Sequence, residues 1–286
     1  MTTGGPMSTN QPYLTFHDGN RAPQLGFGTW QLQTTEAVPA VLAAVEAGYR
    51  SIDTAYIYHN ETEVGQGIAQ CGVPRAELFV ATKVWNDRHG HDSTKSAFVE
   101  SLDRMHLDYV DLYLIHWPVP KQKRYLQAWE ALIQLRDDGR AKSIGVCNFQ
   151  ISHLQQLLDG TGVLPVVNQI ELHPHFQQPE LRAYHTAHNI RTEAWSPLGR
   201  GQVLRDPVIL ELAHAHQVTP AQITLRWHIQ MGHMVIPKSA HPDRIRENFH
   251  LWNLYLTDAE MERIAGLDDP DGRIGPDPET FSLMGG

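Results

Sequence analysis

Short apolar, β-branched runs alternate with longer stretches of helical periodicity along the chain. The runs are QLGFGTW (24–30), YRSID (49–53), LFVATKV (78–84), VDLYLIHW (110–117), AKSIGVCN (141–148), VVNQIEL (166–172), IRTEAWSP (190–197) and HMVIPKS (233–239). Between them lie TTEAVPAVLAAVEAG, NETEVGQGIAQCG, DSTKSAFVESLDRMH, KRYLQAWEALIQLRDDG, SHLQQLLDG, PELRAYHTAHN and TPAQITLRWHIQMG. Most of these place apolar residues at i, i+3 and i+4, and several end in Gly or Asn, as helices do. Strands alternating with amphipathic helices predict βαβ units around a parallel sheet. Eight such runs in 286 residues predict an α/β protein of the (β/α)8, or TIM, barrel type.

The opening YLTFHDGNRAPQ predicts a β-hairpin closing the barrel bottom, with Asp18-Gly19 or Gly19-Asn20 at its turn. The rival fold, a doubly wound sheet, is weakened because GFGTWQ lacks the third glycine of a G-x-G-x-x-G turn. The expected organisation is a mobile N-terminal tail over 1–12 and a single barrel domain over 13–286. Its Pro/Gly-rich end, DDPDGRIGPDPETFSLMGG, is expected to drape over the barrel mouth with Phe281 as a pocket lid.

Composition narrows the function classes. A net charge of −9 with no dense basic stretch argues against nucleic acid as the main partner, while leaving room for a local basic pocket. Two cysteines, Cys71 and Cys147, make no disulfide framework and fit a reducing compartment. The first residues lack the charged and apolar regions of a signal peptide, and no 18-residue apolar run occurs. The expectation is a cytoplasmic, soluble protein without a membrane partner.

In such a barrel the chemistry lies at the C-terminal ends of the strands. Those ends carry Asp53 after the second run, Lys83 in the third and His116 in the fourth, with Tyr58 in the loop after the second. Taken singly, Asp53 could cap a helix, Tyr58 could anchor a loop, and Lys83 and His116 could be solvated strand ends. Together they place four groups able to share one proton network at one mouth. A reaction that builds negative charge on a substrate oxygen needs a proton donor and an electrostatic partner for it. A free tyrosine, with a pKa of about 10, donates poorly near neutrality. An ammonium about 4 Å away contributes about 4 kcal/mol at an effective dielectric of about 20, roughly three pKa units towards phenolate before desolvation subtracts.

The motifs GYRSIDTAYIYHNE, ATKVW, LIHWP, IGVCNF, NQIELHP, WSPLGRG and IPKSAHPDRIRENF, in this order from about residue 13 to 281, resemble the aldo-keto reductases. The likeness is to the bacterial diketogluconate-reductase-like and prostaglandin-synthase-like branch. The resemblance implies a (β/α)8 barrel that reduces carbonyl compounds with NADPH. It implies a tetrad of Asp53, Tyr58, Lys83 and His116. Tyr58 gives the proton, Lys83 makes it acidic, Asp53 holds Lys83, and His116 orients the carbonyl oxygen and assists proton transfer. Tyr56 is read as packing or pocket wall. The resemblance places a nicotinamide against Asn148, Gln169 and Trp195, although Trp195 alone would read as core packing. Ser196, Leu198 and Gln202 line the pyrophosphate. Lys238, Ser239 and Arg244 receive the 2′-phosphate that favours NADPH over NADH, with Glu247 and Asn248 at the adenine; the alternative there is a solvated helix face. Trp30, Trp85, His116 and Trp117 are expected around the substrate, with Phe27 joining them. Cys147 stands where the family often has Ser, and Ser51 where it often has His. A monomer is the default.

Two rival readings differ in kind. Seventeen histidines invite metal-dependent hydrolysis, but H-E-x-x-H and structural-zinc spacings do not occur, and no metal is expected. The other rival is a nicotinamide-binding redox sensor without turnover, against which the intact tetrad weighs.

Overall fold

The computed structural model describes residues 11–284. The expected mobile tail falls on residues 1–10, outside the described residues, and on Gln11 and Pro12. Gln11 is buried, its side-chain amide donating to the Leu25 carbonyl.

β1 (Tyr13–Thr15) and β2 (Arg21–Pro23) form the antiparallel hairpin, with Leu14 opposite Ala22. Gly19 at its tip has φ +88°, a left-handed backbone that glycine adopts without strain. Asp18 ties the turn to the barrel by accepting from the Ser143 hydroxyl at 2.7 Å. Eight parallel strands follow in sequence order: β3 (Phe27–Gly28), β4 (Ser51–Asp53), β5 (Phe79–Val84), β6 (Val110–Ile115), β7 (Ala141–Cys147), β8 (Val167–Glu171), β9 (Arg191–Trp195) and β10 (Met234–Val235). The sheet closes on itself: Leu25 bridges Val235 in parallel, and Gly28 N–H donates to the Pro237 carbonyl at 3.1 Å. A β-carbon at Gly28 would lie 2.8 Å from the Ile236 carbonyl oxygen, so this seam requires glycine. The fold is a (β/α)8 barrel, as the pattern predicts.

Seven helices match the predicted periodic stretches: α1 (Thr34–Ala47), α2 (Glu61–Gln70), α3 (His91–Met105), α4 (Tyr125–Asp137), α5 (Ile151–Thr161), α6 (Pro179–Ala187) and, further on, α8 (Pro220–Gln230). The expected helix start in PKSAHPDRIRENF is α9 (Pro242–Phe249). Two helices were not read from the pattern, α7 (Pro207–His216) and α10 (Asp258–Ala265). Both are short and pack with α8 around Trp227, Ile209, Leu212 and Ile264, a satellite core outside the barrel repeat.

Period-two alternation splits the strand residues into two cores. Outward side chains such as Val80, Tyr113, Ile115 and Val146 pack against the helices. Inward ones, Phe79, Ala81, Leu112, Leu114, Val167 and Met234, meet Phe16 and Ala22 of the hairpin and fill the lower lumen. An apolar plug seals the bottom, so the polar inward residues collect in the upper half. Among the described residues no helix is long and apolar enough to cross a membrane.

Candidate active site

The inward positions at the upper ends of β4, β5, β7 and β8 are Asp53, Lys83, Cys147 and Gln169, all at most 2 % exposed. His116 follows directly after β6, and Tyr58 ends a 3-10 turn, Tyr56–Tyr58, between β4 and α2. Lys83 Nζ donates to Asp53 Oδ1 at 2.5 Å and to the Thr54 carbonyl at 2.8 Å. The same ammonium sits 5.2 Å from the centroid of the Tyr58 ring. The Tyr58 and His116 rings meet edge to face at 5.7 Å, and Trp85 meets His116 at 5.0 Å. The fold therefore brings the four predicted groups together.

Their electrostatics differ from the sequence expectation in one respect. Burial pushes the Tyr58 phenol above its ordinary value, and the opposing pull of Lys83 offsets only part of that rise. From the sequence alone the ammonium is expected to prevail. It does not, because enclosure of the half-buried phenol in the cavity floor outweighs the pull of the ammonium. Burial alone would lower Lys83, but Asp53 and then Tyr58 more than compensate, and the ammonium stays charged above its usual range. His116 is held well below its ordinary value by burial and by Lys83, so it is a neutral imidazole with one ring N–H to offer. A protonated phenol, a fixed cation and a neutral imidazole stand side by side.

Asp53, Tyr58 and His116 floor a cavity of about 840 Å³, while Lys83 is fully buried. Its walls include Trp30, Trp85 and Trp117, with Ile57, Phe281 and Leu283. Phe27, expected at this rim, lies in the outer core against Tyr49, because β3 turns Phe27 outward. Tyr56 is half-buried at the edge of the aromatic cluster, under the Arg104 guanidinium at 4.9 Å. The C-terminal segment crosses the mouth as expected. Glu171 at the end of β8 accepts from the backbone N–H groups of Ile274 and Gly275 at 2.6 and 2.8 Å. Asn86 donates to the Leu283 carbonyl at 2.7 Å, and the Phe281 ring packs on Trp117 at 4.4 Å.

The expected cofactor residues divide into two groups. Asn148, Gln169, Trp195, Ser196, Leu198 and Lys238 line the same cavity as Asp53, Tyr58 and His116. Gln202 is exposed beyond it. Ser239 accepts from the His241 N–H at 3.0 Å just before α9, while Arg244 is exposed and Glu247 half-exposed on that helix and Asn248 is buried beneath it. Asn148 donates to the His116 carbonyl at 3.0 Å and accepts from Trp195 Nε1 at 2.8 Å. It has φ +63°, a left-handed backbone that Asn tolerates better than most residues. Gln169 Nε2 donates to Asp53 Oδ2 at 3.0 Å and to Glu193 Oε2 at 2.8 Å. Cys147 turns its thiol to Gln169 Oε1 at a long 3.8 Å, and burial holds that thiol well above its ordinary range. Ser51 is buried on β4, its hydroxyl close to Gly26.

Three residues at the site were not foreseen. Arg200 lines the cavity and stacks over Trp30 at 5.2 Å. Glu171 anchors the tail. Glu193 shares the Gln169 amide with Asp53. Alternation along IRTEAWSP puts Arg191, Glu193 and Trp195 on one face, and that signal could have found Glu193. Among the described residues no group of three or more His, Cys, Asp and Glu side chains is arranged to hold a metal ion.

A dinucleotide fits the cleft by its chemistry. Trp195 offers a half-exposed aromatic face, Ser196 to Gly201 form a turn rich in backbone amides, and Arg200 and Lys238 supply positive charge. Residues 24–269 match the profile of the Aldo/keto reductase family. An aldo-keto reductase of Mycolicibacterium smegmatis is 51% identical over 274 residues, spanning 96% of this chain and 99% of the relative. The methylglyoxal reductase DkgA of Escherichia coli K12 is 50% identical, with 95% and 98% covered. The crystal structure of a mutant of Gox0644 in complex with NADPH superposes with a TM-score of 0.92 at 48% identity, covering 96% of this chain and 99% of that one. The chain belongs to the Aldo/keto reductase family.

Proposed function

We propose that this protein reduces a small carbonyl compound to its alcohol with NADPH, using Tyr58 as proton donor. The observation that carries the reading is the Asp53–Lys83 pair at 2.5 Å, with the Lys83 ammonium against the Tyr58 ring beneath an aromatic cavity. NADPH, when bound, supplies the hydride. Trp195, Ser196, Leu198, Asn148 and Gln169 would hold its nicotinamide half. Lys238, Ser239 and Arg244 would receive the 2′-phosphate, with Gln202, Glu247 and Asn248 along the rest. The complex of Gox0644 with NADPH supports this choice of cofactor.

The chain's own residues account for the proton. Tyr58 keeps its proton at neutral pH, because its enclosure raises the phenol more than Lys83 lowers it, so the donor is loaded. As negative charge grows on the carbonyl oxygen, the phenol gives up that proton, and Lys83 stabilises the phenolate left behind. Asp53 fixes the ammonium and holds it charged. His116, being neutral, donates to the oxygen without repelling Lys83. Trp30, Trp85, Trp117 and Phe281 exclude water and present flat apolar walls.

The 50% identity to the methylglyoxal reductase DkgA makes short 2-oxoaldehydes the first substrates to try, and we take the protein to act as a cytoplasmic monomer. The test is turnover of a panel of 2-oxoaldehydes, keto sugars, quinones and simple aldehydes with NADPH. Turnover should vanish in Tyr58→Phe while NADPH still binds. Cofactor binding with no turnover of any carbonyl would favour a redox sensor.

A further inference from the structure

Beside Gln169 lies a buried carboxyl group with no part in the proton path. Glu193 sits in the middle of β9, in register with Gln169 on one side and Met234 on the other, and is 4% exposed. The Gln169 side-chain NH2 reaches Glu193 Oε2 at 2.8 Å and Asp53 Oδ2 at 3.0 Å. One amide group thus spans two carboxyl groups, and Asp53 hands the connection on to Lys83 at 2.5 Å. The ionisable groups that act on Glu193 across the lumen are Asp53 on β4, Lys83 on β5 and the Cys147 thiol on β7. Its sheet neighbours β8 and β10 present the neutral Gln169 and Met234. Two anions and one cation in a dry lumen are costly, and Asp53, bonded directly to the ammonium, is the carboxyl group favoured to remain ionised.

We propose that Glu193 is a positioning residue for the Asp53–Lys83 pair, a buried carboxyl group that exchanges a proton with solvent and so sets how strongly Lys83 supports a developing Tyr58 phenolate. This rests on the reading of Tyr58 as proton donor. With Glu193 protonated, Lys83 is balanced by Asp53 alone. With Glu193 ionised, a second negative charge faces the ammonium, the phenolate is less stable, and Tyr58 becomes the weaker acid. The only species that moves is one proton, from the carboxyl group to solvent. Burial, reinforced by Asp53, pushes Glu193 up to about 7, which puts the transition in the neutral range.

The first experiment needs no turnover. Glutamate labelled with carbon-13 at the carboxyl is followed by NMR through a pH titration of the full chain without cofactor. One resonance should titrate near pH 7, disappear in Glu193→Gln, and move to lower pH in Asp53→Asn, where the like charge is gone. If every glutamate titrates in the ordinary acidic range, the proposal is overturned. The second experiment is the pH profile of kcat for reduction at saturating NADPH and carbonyl. The wild-type rate should fall several-fold as pH rises through that midpoint, and Glu193→Gln should hold the low-pH rate throughout. An unchanged fall in Glu193→Gln, or an equal loss at every pH, overturns it. Should Glu193→Gln not fold, the titration of the wild type and of Asp53→Asn still decides. Full turnover by Tyr58→Phe would defeat the catalytic reading instead, whatever Glu193 does.

Discussion

The two walls of the mouth handle charge in opposite ways. On the β4–β6 side Asp53, Lys83 and His116 are 2, 0 and 9% exposed, and Asp53 and Lys83 have their partners inside the protein. On the α9 side Arg244 and His241 stand in solvent, and Lys238 and Glu247 are half-exposed. Buried ion pairs are expensive to assemble, and removing one partner costs about 3–5 kcal/mol. Exposed pairs are worth about 0–1 kcal/mol. On our reading, the division follows from the work each wall would do. Proton transfer needs charges fixed and stripped of water, so that a small change on the substrate oxygen is felt strongly. Capture of a phosphate needs cations that an incoming anion can reach.

The buried wall offers the largest effect. Tyr58→Phe removes one hydroxyl from a packed ring and leaves Asp53–Lys83 intact. It should lower kcat by about 10²–10⁴-fold, the usual scale for general acid catalysis. NADPH affinity, measured by quenching of tryptophan fluorescence, should change little. A Tyr58→Phe enzyme within tenfold of wild type would mean that another group delivers the proton, and the contrast between the walls would lose its catalytic meaning.

Glu193→Gln sharpens the comparison from the stability side. Glu193 is raised in the folded protein to about 7, above the roughly 4.3 of an unfolded glutamate. Between those values the folded state binds the extra proton, so wild-type stability falls as pH rises from about 4 to about 7 and stays lower beyond. A glutamine keeps the bond from Gln169 and cannot ionise. The variant should therefore match wild type at pH 4–5 and exceed it at pH 8, on the order of 3 kcal/mol, read as a difference in Tm between the two pH values. Equal Tm shifts at both would show that the carboxyl is not held protonated by its surroundings.

How much of this was legible in the sequence follows the same division. The barrel was readable because each βα unit repeats one pattern, apolar strand then amphipathic helix. The meeting of Asp53, Lys83 and His116 was readable because polar residues end otherwise apolar runs. Helices α7 and α10 lie outside that repeat, so the pattern offered no slot for them. Local signals were present all the same: Asp206 accepts from the Val208 N–H at 2.8 Å to start α7, and Thr257 and Glu260 form a capping box on α10. Alternation along β9 turns Glu193 inward but does not show what it meets. Its partners Gln169 and Asp53 are 24 and 140 residues away in sequence, as the numbering shows, and only barrel closure brings them to one amide. Phe27 was misplaced because β3 is only two residues long, too short for alternation to fix which way it faces. The net pull on Tyr58 differs from the expectation because a place in the loop after β4 says nothing of how enclosed the phenol is.

The smallest effect tests the exposed wall. Arg244 is solvated and forms no salt bridge among the described residues, while its neighbour Arg246 pairs with Asp243 at 3.2 Å. A cation so placed contributes little to folding, and Arg244→Ala should shift stability by no more than about 0.5 kcal/mol. Its role, on our reading, begins when a phosphate arrives. The guanidinium can then make a bidentate, charge-assisted contact in a partly solvated setting, worth about 1.5–3 kcal/mol. NADPH affinity should accordingly fall about tenfold or more in Arg244→Ala, while NADH affinity stays within about twofold, because only NADPH carries the 2′-phosphate. The NADPH effect should shrink as salt is raised, since an exposed ion pair is screened. Equal weakening of both cofactors would place Arg244 against a part of the dinucleotide common to both, and α9 would no longer be the element that tells them apart.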